Sequence, residues 1–170
     1  MKHVALATAV TCFAVAWSTI AHAEDALMLF DTDDPAMNTA IADAQKTLPR
    51  FLAHAFDETG TSLPDALVKV GLPTVNGPNS LEHIWVAPFS RISETEYSGL
   101  LANEPDDLGG LQQGDTIKFT VSQISDWSVT SPQGLYWGNY TTRVMFKNGA
   151  FGDAPFETVF EPTPIPPDWN

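Results

Sequence analysis

Six side chains suited to recognition or catalysis lie in three separate segments of the chain. They are His83, Trp85, Asp126, Trp127, Tyr140 and Arg143. A histidine titrates near neutral pH, and a carboxylate beside it could complete an acid–base pair. Asp126 could instead pair with Arg143 and hold two segments together, because a buried ion pair fixes geometry more readily than it catalyses. We interpret the six as one patch that binds a partner. The alternative is a small hydrolase that uses His83 and Asp126 as acid and base.

Other kinds of site lack the residues they need. Two histidines, His54 and His83, lie beyond the N-terminal segment on different predicted elements, and no H-x-x-x-H, H-E-x-x-H or multi-cysteine pattern occurs. The G-x-S-x-G motif of a serine nucleophile is absent. The Gly109-Gly110 pair lies in an acidic loop, which would repel a phosphate group. We therefore expect no metal and no cofactor.

The stretch 111–127 has the clearest strand pattern in the chain, and Asp126 lies near its end. Ile117, Phe119 and Val121 alternate with polar residues, which is the period of a strand with one buried face. The pattern predicts a core strand whose end presents Asp126 beside a large aromatic side chain.

A helix is predicted from Pro35 to Phe56. Asp34 has the side chain of an N-cap, and proline fits the first helical position. An apolar stripe would face the sheet; its members are Met37, Ile41, Ala44 and Leu48. Pro49 is expected to interrupt the helix. The acidic cluster of Asp31, Asp33 and Asp34 is explained by helix capping, since it lacks the spacing of a calcium loop.

A hairpin is predicted in the middle of the chain. Residues 66–72 and 81–89 read as strands around an Asn76-Gly77 turn. Both faces of the second strand carry apolar residues, which predicts a central position in the sheet. Glu82 and His83 are neighbours in that strand and point to opposite faces, so they do not form a direct acid–base pair.

The remaining segments are shorter. A strand is expected within 91–101, followed by an acidic loop at 102–110 that carries Glu104, Asp106 and Asp107. Residues 141–147 could form a strand or a short helix, and the family resemblance given below favours the helix. Five prolines within 154–170 predict an extended, partly mobile tail.

The N-terminus has the features of a cleaved signal peptide. Lys2 precedes an apolar run, and Ala21-His22-Ala23 matches an A-x-A cleavage signature before Glu24. Cys12 would be lost with this segment, which leaves a chain without disulfides. No other segment is long and apolar enough to span a membrane. We therefore expect export to the periplasm or secretion.

Charge narrows the choice of partner. The chain has a formal net charge of −13, and residues 24–170 carry seven basic and 21 acidic residues, or −14. Such a balance argues against nucleic acid and against an anionic lipid surface, and it suits a basic protein partner.

Several short motifs occur in an order that resembles a known family. They are Asp34-Pro35, Met37-Asn38, Thr47-Leu48-Pro49, Glu82-His83-Ile84-Trp85-Val86, Gly99-Leu100-Leu101-Ala102-Asn103-Glu104-Pro105, Gly114-Asp115, Ile124-Ser125-Asp126-Trp127 and Tyr140-Thr141-Thr142-Arg143-Val144. Together they resemble the bacterial YegJ-like family, the domain of unknown function numbered two-three-one-four. The resemblance implies a small, often exported α+β domain with no established activity and no catalytic residues to transfer. The chain departs from the family pattern at Ser128 and in its tail.

These observations combine into one predicted architecture. Residues 1–23 are a signal peptide, residues 24–153 a single α+β domain, and residues 154–170 a proline-rich tail. In the domain a bent, mainly antiparallel sheet of about five strands packs against the N-terminal helix. The predicted function is that of a non-catalytic binding module, with an immunity-like protein that blocks a toxin as one version.

Overall fold

The computed structural model describes residues 34–76 and 80–169. The predicted signal peptide, Asp31, Asp33 and the Gly77 position of the hairpin turn lie outside these residues. The long helices and strands are α1 (Pro35–His54), β1 (Ala66–Pro73), β2 (Leu81–Arg91), β3 (Glu96–Leu101), β4 (Thr116–Thr120), β5 (Ile124–Thr130), β6 (Tyr136–Gly138) and α2 (Tyr140–Lys147). Short 3-10 turns occupy Val121–Gln123 and Phe156–Thr158.

The strands form one antiparallel sheet in the order β4-β3-β2-β1-β5-β6. The predicted α+β class is confirmed, with six strands where about five were expected. Strand β2 lies inside the sheet, as its apolar content predicted. The segment at 141–147 is helical, as the family resemblance indicated.

Helix α1 begins at the predicted cap. The Asp34 carboxylate accepts hydrogen bonds from the backbone N–H groups of Ala36 and Met37, at 2.8 and 3.0 Å. The helix does not stop at Pro49, which lies on its exposed side within the continuous span. A proline there leaves an unpaired carbonyl where water can satisfy it, so the helix continues through Phe51. Phe51 is fully buried and is the main contact of this last part with the core.

The stretch 111–127 is not one strand. Strand β4 ends at Thr120, whose backbone N–H donates to the Gln123 side-chain oxygen at 2.9 Å. This capping interaction starts a 3-10 turn, after which the chain resumes as β5 between β1 and β6. The alternation of Ile117 and Phe119 predicted their burial correctly. It did not reveal that β4 lies at the sheet edge while β5 lies four positions away.

The core lies between α1 and one face of the sheet. Phe51 stacks on Trp127 with ring centroids 5.0 Å apart, and Phe89, Tyr97 and Phe119 continue the aromatic layer at 5.7–6.5 Å. All five rings are at most 2% exposed, and large buried aromatic side chains contribute strongly to hydrophobic stabilisation.

The proline-rich tail packs against the domain and is not extended throughout, since Phe156–Thr158 forms a 3-10 turn and residues 162–165 are bent. It runs beside β6, where the Tyr136 N–H donates to the Val159 carbonyl at 2.9 Å and the Gly138 N–H donates to the Pro164 carbonyl at 2.7 Å. The tail therefore continues the sheet edge beyond β6, where a partly mobile terminus was expected. Among the described residues, no helix has the length and apolar content needed to cross a bilayer.

Candidate interaction site

Three neighbouring strands place a row of side chains across the face of the sheet that points away from α1. In the register of the sheet, Trp85 of β2 lies opposite Lys69 of β1, and Lys69 lies opposite Asp126 of β5. Two residues before Trp85 in β2, His83 lies opposite Gly71. Because partners in an antiparallel sheet share a face, these side chains form one layer.

Asp126 is fully buried and caps helix α2 from a distance in sequence. Its carboxylate accepts from the N–H groups of Trp127, Tyr140 and Thr141 at 2.7–3.1 Å, and from the Thr141 hydroxyl at 2.6 Å. Asn139 stands at the N-cap position with φ of 53° and makes no capping hydrogen bond. The Asp126 carboxylate, which comes from strand β5, thus takes the place of a local N-cap residue. Its negative charge also interacts favourably with the positive end of the α2 dipole.

Lys69 was not identified from the sequence, yet it balances the Asp126 charge. The lysine is only 6% exposed; its Nζ lies 4.6 Å from the Trp85 ring centroid and donates to the Thr141 hydroxyl at 3.3 Å. Burial raises the pKa of the Asp126 carboxyl, while Lys69 and Thr141 act in the opposite direction. The sequence does contain a signal for this role, since Lys69 is a single lysine within an apolar strand. A lysine buried there needs a partner for its ammonium group.

His83 lies across β1 and bonds to β5. Its Nδ1 is 2.8 Å from the Ser125 hydroxyl, which donates to the Lys69 carbonyl at 3.2 Å. Gly71 beneath the ring makes room for this approach, because a Cβ there would lie 3.2 Å from the imidazole Cε1, which is closer than an ordinary contact. Burial of this side of the ring and the charge of Lys69 lower the pKa of His83. The other side of the residue remains exposed.

The predicted pair between Asp126 and Arg143 is replaced by other contacts. Nε, Nη1 and Nη2 of Arg143 donate to the carbonyls of Gly138, Glu161 and Tyr136 at 2.8, 3.0 and 2.9 Å. The guanidinium also lies over aromatic rings of the tail region. Its planar set of donors is therefore used to join β6 to the tail.

The six predicted patch residues do not share one surface. His83 is exposed and Trp85 half-buried on the face away from α1. Trp127 lies in the core, and its Nε1 donates to the Thr47 hydroxyl at 3.0 Å. Tyr140 is half-buried beside α1, and its hydroxyl is hydrogen-bonded to the same Thr47 at 3.0 Å.

Around His83 and Trp85 the outer part of this face is accessible. We call it the open face and define it by Leu81, His83, Trp85, Leu100 and Thr116, which are exposed or half-buried. Leu81 is 44% exposed. The alternate residues of the same strands are buried in the core, so this part of the sheet is closed on one side and accessible on the other.

Asp126 is not available to His83 as an acid–base partner. Asp126 has no exposed surface, and its oxygens are occupied by four donors. Two clefts, of about 500 and 390 Å³, are lined by residues of the 104–112 loop and of the α1–α2 junction, and neither includes His83 or Asp126.

The acidic loop is held by a carboxylate of β2 and by one of its own. Glu82 accepts from the N–H groups of Asp106 and Asp107 at 2.9 Å each, and Asp107 accepts from Asn76 N–H at 2.7 Å. These carboxylates thus order the loop after β3. Within residues 34–76 and 80–169, no group of three or more His, Cys, Asp or Glu side chains is placed to hold a metal ion.

Comparison with known proteins gives a family match over most of the chain. Residues 34–151 match a family described as an uncharacterized protein conserved in bacteria (DUF2314). The chain is also similar to a putative ankyrin repeat protein of Neisseria meningitidis serogroup B, with 30% identity over 116 residues. That similarity covers 66% of this chain and 45% of the relative, so the chain spans less than half of the relative's length. No solved structure matches the chain.

Proposed function

The chain belongs to the DUF2314 family of uncharacterised bacterial proteins, and we propose that it is an exported, non-catalytic module that binds a protein partner through the open face. The observation that carries the proposal is the exposure of Leu81 and His83, beside the half-buried Trp85, on the side of the sheet that faces away from α1. Clusters of aromatic and apolar side chains at a surface are typical of binding sites.

The layer beneath the open face supports binding rather than turnover. Trp85 rests on the Lys69 ammonium group, and the His83 ring is fixed by Ser125 and Gly71. Rings held in this way lose little side-chain entropy when a partner packs on them, which favours affinity. The hydrolase alternative lacks support, because Asp126 is enclosed and bonded to α2.

Charge and similarity indicate the kind of partner. Acidic residues exceed basic ones by 21 to eight in the chain, so a basic protein surface is favoured electrostatically. The Neisseria relative is named for ankyrin repeats, a class of module that presents binding surfaces. The described part of this chain has a six-stranded sheet and no stack of helix pairs, so its own binding surface must be of another kind.

Site-specific photo-crosslinking in the bacterial host tests the proposed surface. A photoreactive phenylalanine analogue replaces Leu81 or Thr116 on the open face, and the matched control places it at Ala42, exposed on α1. We expect a defined crosslinked protein from the two open-face positions and not from Ala42. Equal crosslinking at all three positions, or none at the open face, would contradict the proposal.

Export is tested separately. If the A-x-A signature directs cleavage, the N-terminus of the protein recovered from the host begins at Glu24. Replacing Ala23 with a bulky residue such as leucine should accumulate the unprocessed chain. An intact N-terminus in the unaltered protein would overturn this part of the proposal without affecting the open face.

A further inference from the structure

A bulge in strand β5 places a buried hydroxyl group beneath the open face. The register between β1 and β5 shifts between Lys69 and Val70, which leaves Ser125 as the extra residue of β5. Such a bulge re-aims the side chains around it. Ser125 is only 3% exposed, and its Oγ lies 3.2 Å from the Lys69 carbonyl oxygen and 2.8 Å from Nδ1 of His83.

These two contacts determine which nitrogen of the His83 ring carries the proton. A hydroxyl group has one proton, and a carbonyl oxygen can only accept. The Ser125 proton therefore lies on the bond to the Lys69 carbonyl, because two acceptors would otherwise face each other in a buried site. Nδ1 of His83 must then donate the proton of the second bond.

The other ring nitrogen, Nε2, is thereby left as a hydrogen-bond acceptor. Burial of one side of the ring and the charge of Lys69 lower the pKa of His83, so the ring is neutral at pH 7 and carries the Nδ1 proton alone. Among the described residues, Nε2 has no hydrogen-bond partner, although His83 is exposed. The open face therefore presents one lone pair beside Leu81 and Trp85, on a ring whose orientation is held by Ser125.

We propose that His83 determines which partner the open face accepts, by receiving a hydrogen bond at Nε2 from an N–H or O–H group of the partner protein. This role rests on the proposed function of the open face and specifies the chemistry of one of its contacts. Basic, amide and hydroxyl side chains supply such a proton, whereas an ionised carboxylate has none to give. The contact therefore selects against an acidic partner surface at this position, in the same direction as the net charge of the chain.

NMR on the unaltered protein measures the position of the proton. With 15N-labelled histidine at about pH 8, where the ring is neutral, long-range 1H–15N spectra distinguish a protonated from an unprotonated ring nitrogen. His54 is the internal reference, since its Nδ1 lies 2.9 Å from the Arg50 carbonyl, which can only accept. We expect a protonated Nδ1 and an unprotonated Nε2 in both histidines. A proton on Nε2 of His83 would overturn the proposal.

Substitutions of His83 test the contact with the partner. The photoreactive analogue is placed at Leu81, and crosslinking in the host is repeated with His83→Asn, His83→Phe and His83→Gln. Asparagine keeps a donor for Ser125 but is too short to replace Nε2, phenylalanine keeps a ring without nitrogen, and glutamine offers an amide oxygen as acceptor. We expect the asparagine and phenylalanine variants to lower the crosslinking yield at least about fivefold, as for one lost hydrogen bond. The glutamine variant should keep most of the yield, and the control His54→Gln on α1 should keep all of it.

The outcomes distinguish this role of His83 from binding at the open face. No crosslinked protein with the unaltered chain would contradict both the proposed function and the role of His83. Full yield from all three His83 variants would leave the open face as a binding surface and exclude the hydrogen bond at Nε2. An equal loss in all three, glutamine included, would show that only the shape of the ring matters and would also overturn the proposal. The NMR result holds even if a variant does not fold.

Discussion

At the scale of single residues, the buried pair of Lys69 and Asp126 is the main polar feature of the protein. Both are almost fully enclosed, and they meet through the hydroxyl of Thr141 and across adjacent strands. A buried charge is tolerated only when its partner and its hydrogen bonds are complete. The pair therefore explains why two ionisable residues can occupy a sheet otherwise rich in apolar side chains.

A double-mutant cycle measures this dependence. Asp126→Ala should lower the free energy of unfolding by about 3–5 kcal/mol, because it leaves the Lys69 ammonium group buried without its counter-charge. Lys69→Met should also be destabilising, and the double variant should lose clearly less than the sum of the two. It will not regain full stability, since α2 still lacks its carboxylate cap. Urea denaturation provides the values, and strict additivity would show that the two charges do not interact.

His83 predicts a pH dependence of stability. Burial and Lys69 lower the pKa of His83, so the folded state binds this proton more weakly than the unfolded state. The contribution is fully present above about pH 6.5, the ordinary histidine value, and is lost as the pH falls from there through the folded-state pKa. His83→Gln, which keeps a partner for Ser125, should remove this component. The free energy of unfolding of both proteins is measured between pH 7 and pH 5, the range in which histidine ordinarily titrates. An identical dependence on pH in the two proteins would contradict this prediction.

At the scale of elements, one glycine controls the passage from β6 to α2. Gly138 has φ of 68°, and a Cβ at this position would lie 2.1 Å from the Trp127 carbonyl oxygen. At this point the backbone passes directly over β5. Only a residue without a side chain leaves room for β6 to turn into α2 there. This turn brings Tyr140 and Thr141 onto the Asp126 carboxylate.

A matched pair of substitutions separates crowding from backbone strain. Gly138→Ala should lower the free energy of unfolding by more than about 3 kcal/mol, since it combines a steric clash with a left-handed conformation. Gly134 has φ of 81°, and no atom lies within 4 Å of the place where a Cβ would stand, so Gly134→Ala should cost only about 1 kcal/mol of conformational strain. Thermal and urea unfolding of both variants provide the comparison. Similar losses would show that β6 shifts to accommodate a side chain.

At the scale of the whole molecule, Arg143 joins three parts of the chain. From α2 it donates to two carbonyls near β6 and to the Glu161 carbonyl of the tail. The sequence predicted a stabilising role through Asp126, and the structure assigns the same residue to different acceptors. Its three donors point in directions that only a guanidinium group provides.

A substitution that keeps the positive charge of Arg143 should therefore not keep its role in joining α2, β6 and the tail. Arg143→Lys should lower the free energy of unfolding by about 3 kcal/mol, because one ammonium group cannot reach three separate carbonyls and charged hydrogen bonds are lost. Arg143→Ala should be at least as damaging. Hydrogen exchange should also show faster exchange in β6 and the tail than in β2. A lysine variant as stable as the unaltered chain would exclude the three-carbonyl role.

Local patterns predicted much of the fold. Asp34 and Pro35 fixed the start of α1, and the hairpin strands followed from alternation around a turn. These signals depend on neighbours close in sequence, where capping and strand period act. The division of 111–127 was missed because Ile117 and Phe119 continue smoothly into Val121, and the Thr120–Gln123 capping contact has no apolar signature.

The sequence alone determined the class of fold, part of the buried faces of its elements and the scarcity of residues for metal or nucleophilic chemistry, because these depend on composition and local period. Only the tertiary structure decided the partners of each charged side chain. Asp126 lies 57 positions from Lys69, and their contact depends on strand register, which no local pattern encodes. The same long-range pairing buried Asp126 and Trp127, while contacts with β6 and the tail buried Arg143.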